Sequence, residues 1–153
     1  MIRKFIKAVL AAFGIGLVFD ALYLAAAAAL TALFSAAALL DPLNQWARAG
    51  VMRAAAAGAL ILHIAFLISS SATVAAAVLL VDKTRIKNYK TAAAALSFFL
   101  HCFLVLTIGG AFFLFYKNDY LFGYLTVYLI FMTAVAPLKG TAAAAAAGKT
   151  KQI

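Results

Sequence analysis

Apolar residues run in four long stretches, roughly 8–40, 54–81, 91–116 and 120–136, separated by short polar loops. A helix needs about 20 apolar residues to cross a bilayer core. The first three stretches exceed that length, and the fourth supplies 17. The pattern predicts an all-α integral membrane protein in which four transmembrane helices form an antiparallel bundle, one domain over residues 1–138.

Within that plan the pattern has finer structure. Ile2, Phe5, Ile6, Val9, Leu10, Phe13 and Leu17 recur at helical spacing opposite Arg3, Lys4, Lys7, Ala8, Ala11 and Gly14. The basic turns belong at the headgroups and the small face against a neighbouring helix. A basic start before an apolar stretch also fits a secretory signal. The apolar run continues past Asp20 to Leu40 without a polar cleavage region, which favours a retained helix. Asp41-Pro42 ends the first run and can cap a short interfacial helix over 41–53, with Trp46, Arg48 and Arg53 as interfacial anchors. Gly109-Gly110 marks a bend or a close helix contact. Lys117-Asn118-Asp119 permits only an antiparallel hairpin. Pro137 marks the exit of the fourth run, leaving residues 139–153 as a mobile C-terminal tail.

Composition strengthens the membrane assignment: 68% of residues are hydrophobic and 11% charged, against about 45–50% and 25% in soluble domains. The positive charge is asymmetric. Ten of the 13 Lys and Arg residues fall on the N-terminus, the 82–90 loop and the C-terminal tail, which share one side if all four runs span. The positive-inside rule places both termini on the cytoplasmic side, or the matrix or stromal side in an organelle. The net charge of +9 reads as this topology signal plus contact with anionic headgroups, and not as a nucleic-acid surface, because the basic residues sit at helix ends. One cysteine, Cys102, excludes an internal disulfide. Alanine is concentrated in blocks 25–29, 36–38, 54–57, 75–77, 92–95 and 142–147, and glutamate is absent. Two expectations compete: genuine Ala-rich helices, or alanines standing in for unassigned side chains, acids among them.

Candidate chemistry is sparse. Asp20 is the one acid within a span; an intramembrane acid costs about 2.5–3.5 kcal/mol to insert and must be paired, hydrated or protonated. His63 and His101 invite a shared haem iron. Counted from the 82–90 loop, however, they lie about 27 Å and about 15 Å deep at 1.5 Å per residue. One iron cannot join them, and His101 alone is the weak candidate for a cofactor shared with another subunit. On the same count Asp20 lies about 18 Å deep, which allows an Asp20–His101 pair. Tyr120, Tyr124, Tyr128 and Phe131 form an aromatic lipid or partner face. Ser69-Ser70-Ser71 and Thr73 can bond a neighbouring helix or their own carbonyls. Gly148-Lys149-Thr150 lacks the strand and the earlier glycine of a phosphate loop. No metal-ligand spacing or nucleophile triad occurs.

These residues suit a non-enzymatic accessory or scaffold subunit of a larger membrane complex, contacting lipids and other transmembrane subunits, without a cofactor other than lipid. The competing expectation is a small oligomeric proton- or cation-coupled transporter with Asp20 as carrier.

Overall fold

A computed structural model describes residues 1–38, 45–84, 86–115 and 119–148, and side-chain surroundings over 1–29, 61–84, 86–110 and 125–148. Four helices follow one another: α1 (Ile2–Ala38), α2 (Gln45–Asp82), α3 (Tyr89–Phe115) and α4 (Asp119–Ala147). Each contains a stretch long and apolar enough to cross a membrane: Ile2–Ala29, Ile61–Asp82, Tyr89–Gly110 and Leu125–Ala147. In a bilayer such chains are driven to helix because every backbone polar group must find its partner within the segment.

The helix ends on the loop face close by local bonds. The Met1 carbonyl accepts from the Lys4 and Phe5 amides, and the Thr84 amide turns back to the Val81 carbonyl. The Asn88 carbonyl accepts from Ala92 as α3 begins. Gly148, at φ +67°, terminates α4 in the left-handed conformation that a side chain disfavours, with its amide on the Ala144 carbonyl.

α1 and α3 each pack against both α2 and α4, and α2 touches α4 across the centre. The central pair accordingly buries 50% and 44% of its spanning residues, whereas α1 and α3 bury 22% and 17%. Lys4 ties three ends together: its Nζ donates to the Asp82 carboxylate and to the Gly148 carbonyl, both at 3.0 Å. The start of α1 and the ends of α2 and α4 therefore share one face, as an antiparallel four-helix bundle requires.

Two expectations are corrected. The segment 45–53 is no separate interfacial helix but the first turns of α2; Asp41 and Pro42 lie outside the described residues, as do the side chains of Trp46, Arg48 and Arg53. The fourth helix does not end at Pro137 but continues ten residues to Ala147, so 139–147 is not a tail. Proline deletes one amide, but unwinding the chain in lipid would expose many backbone groups. The Thr141 hydroxyl also donates to the Pro137 carbonyl at 2.5 Å.

The core has two parts. Toward the loop face, Ala8, Ala12, Val74, Ala75, Val78, Ala93, Ala143 and Ala144 pack together with Val81 and Tyr89. Farther from it, Phe66, Leu67, Tyr128, Leu129 and Met132 pack with Phe13, Phe19, Tyr23 and Phe131. Of the buried polar side chains, Ser70, Ser97, His101 and Lys139 lie near the junction of these two parts, and Asp20 and His63 lie deeper, among the rings.

Candidate functional site

Asp20 stands 18 residues into α1 and His63 19 residues before the end of α2, which puts both about 27–28 Å from the loop face at 1.5 Å per residue. They meet there: the His63 Nδ1 lies 2.7 Å from the Asp20 Oδ1. Both residues are buried, at 1% and 7% exposure. The imidazole is held between rings, with Tyr128 stacked on it at 3.8 Å between centroids and Tyr23 at 5.9 Å. The carboxylate and the imidazole thus tie α1 to α2 through one short polar contact.

Of the three candidate polar residues, Asp20 meets His63; a depth count from residue 8 allows a pair with His101 instead. Because the helix begins at Ile2, Asp20 lies six residues deeper and matches His63 instead.

A second polar layer lies nearer the loop face. Lys139 is fully buried, and its Nζ donates to the Ser70 Oγ. The lysine stem passes over Gly16, where an added Cβ would lie 3.0 Å from the Lys139 Cε and Nζ and 2.5 Å from the Leu67 side chain. Gly16 thus provides the space through which α4 reaches α2 beside α1. Lys139 is within electrostatic reach of both Asp20 and His101. The His101 Nδ1 donates to the Ser97 carbonyl at 3.2 Å. Its Nε2, together with the Ser97 Oγ, is buried without a hydrogen-bond partner among the described residues. Next to Ser97, Gly140 permits the closest helix approach described: a Cβ there would sit 2.6 Å from the Ser97 Oγ and 2.9 Å from the Ala93 carbonyl.

The serine cluster divides its roles. Ser69, Ser71 and Thr73 donate to the carbonyls of Ala65, Leu67 and Ser69 in their own helix, and only Ser70 reaches across to another helix. The tyrosine face is corrected in part. Tyr128 points into the core at 1% exposure, and Phe131 is half-buried against Phe19 and Tyr23; neither forms an outward face. The side chains of Tyr120 and Tyr124 lie outside the described residues.

A helix ending at Pro137 leaves Lys139 and Gly140 outside the bundle, so the sequence pattern does not point to them. The alanine run at 142–147 carried the contrary signal, since alanine is the best helix former. With Lys139 inside the bundle, nine basic residues and not ten remain on the loop-face segments.

A cleft of about 310 Å³ opens between α1 and α2, walled by Leu17, Ala21, Leu24, Ile64 and Leu67, with Asp20 and His63 at its polar end. The arrangement can present a carboxylate oxygen to whatever enters the cleft. No family model matches this chain, and neither a curated protein nor a solved structure matches it significantly.

Proposed function

We propose that the protein is a non-catalytic accessory subunit of a larger membrane complex. One observation carries this reading: two pairs of its interior polar side chains tie one helix to another. Asp20 to His63 joins α1 to α2, and Lys139 to Ser70 joins α4 to α2. Outward, α3 presents an apolar stripe of Phe99, Phe103 and Leu106, exposed at 68%, 71% and 74%. A polar interior that locks the bundle and an apolar exterior suited to lipid or neighbouring transmembrane helices are what a scaffold needs. Extraction from its own membrane in mild detergent tests the reading. Comigration with other subunits is expected, and migration as a lone monomer would refute it.

The second reading is a small proton- or cation-coupled transporter, favoured by the acid–imidazole pair at the end of the cleft. It requires substrate-dependent proton flux in vesicles that Asp20→Asn abolishes; flux indifferent to that substitution would dismiss it.

In either case the loop face carries the basic segments and belongs on the cytoplasmic, matrix or stromal side. Asn88→Cys and Thr150→Cys, each in a Cys102→Ala background, should react with an impermeant thiol reagent from that same side. Labelling from opposite sides would overturn the topology.

A further inference from the structure

We infer that the α1–α2 cleft is a binding site for a neutral, hydroxyl-bearing lipid whose hydroxyl donates to Asp20. The volume, about 310 Å³, sits at the lower end of ligand pockets, which run about 300–1,000 Å³. Its walls are apolar, from Phe13 and Leu17 on α1 to Ile64 and Ile68 on α2. Its polar end is the carboxylate. The Asp20 Oδ1 is engaged by His63, and no hydrogen bond to Oδ2 occurs among the described residues. A carboxylate accepts through both oxygens, and in an apolar setting an acceptor without a donor is costly.

Charge selects the class of ligand. Asp20 and Lys139 are the buried acid and the buried amine among the described residues, within electrostatic reach of each other. Their opposite charges offset. A cationic head on Asp20 would leave Lys139 unbalanced in the hydrocarbon region, and an anionic head would be repelled by the carboxylate. A hydrocarbon chain alone would leave Oδ2 unanswered. A neutral alcohol supplies the donor without disturbing the balance, and its apolar body fills the cleft. The cleft lies within a single chain, so the inference does not depend on membership of a complex.

The test uses the full chain in lipid nanodiscs and three photoreactive, alkyne-tagged probes of one chain length: a fatty alcohol, its methyl ether and the corresponding amine. A hydrogen bond to a charged acceptor is worth about tenfold in affinity. At limiting probe, the alcohol should therefore label the peptides covering 13–24 and 61–68 about tenfold more than the ether. Ala21→Phe blocks the cleft without touching the Asp20–His63 pair and should abolish that preference, as should Asp20→Leu. Equal labelling by alcohol and ether, stronger labelling by the amine, or a preference that survives Ala21→Phe in protein of unchanged thermal stability would each overturn the assignment.

Discussion

The two halves of the bundle core solve the same packing problem with opposite materials. Near the loop face, alanines, a glycine and a serine let helices approach until backbone meets side chain. Gly140 lies so near Ala93 and Ser97 that no Cβ fits without movement. Farther in, rings set the spacing: Phe66, Tyr128, Tyr23, Phe131 and Phe19 stack at centroid distances of 5.1–6.1 Å. The α1–α2 cleft touches the aromatic half through Phe13 and Leu67. The ionisable pair at its end is thus placed where packing leaves room for a ligand. In a membrane, where burial from water no longer drives helices together, close packing and polar contacts have to hold the bundle.

The contrast can be broken most strongly at the pair itself. Asp20→Leu removes the carboxylate from a buried imidazole, and should cost about 3–5 kcal/mol of unfolding free energy in detergent. The double variant Asp20→Leu/His63→Leu should recover more than half of that loss, because an apolar pair of similar volume suits the aromatic half. A double-variant loss equal to the sum of the single losses would show that the two residues do not act together.

Next in size is Gly140→Ala. Its new methyl meets the Ala93 carbonyl, which cannot yield as a flexible side chain could, so about 1–3 kcal/mol should be lost. Gly14, on α1, has open space where its Cβ would stand. Gly14→Ala should therefore gain up to about 1 kcal/mol from helix propensity alone. Equal effects at Gly140 and Gly14 in the same unfolding assay would remove close approach as the principle of the alanine half.

The smallest expected effect is at the loop face. Lys4→Ala breaks the tie to Asp82 and Gly148, but the lysine side chain is 28% exposed and solvent screens the pair. The loss should be under about 1 kcal/mol and should shrink further with added salt. A larger or salt-independent loss would mean that this clasp matters more than the packing beneath it.

The comparison also bears on the alanine blocks. Ala75, Ala77, Ala93 and Ala143 are fully buried, in contrast to exposed Ala25, Ala26, Ala28 and Ala29. Peptide masses of the natural chain should show small residues at the four buried positions. Glutamates or other large side chains there would be incompatible with the close approach of α1, α3 and α4.

The four spans and their antiparallel order were legible because hydrophobic length is a property of each segment by itself. The end of α4 was not legible at Pro137, because in lipid the backbone's need for internal partners outweighs the single amide that proline lacks. The partner of Asp20 was not legible, because it turns on a slip of six residues in where α1 begins. That slip amounts to about 9 Å of depth, enough to exchange one histidine for another.

What the sequence by itself determined is the solvent: 68% hydrophobic residues in four runs make the chain a membrane bundle whatever its job. It also supplied the few ionisable groups from which an interior site could be built. Only the tertiary structure decided which of them meet. Asp20 and His63 are 43 residues apart, and Lys139 and Ser70 are 69 apart. Their contacts depend on the depth and rotation of each helix, which neighbours set through side-chain packing and which no single segment's pattern contains.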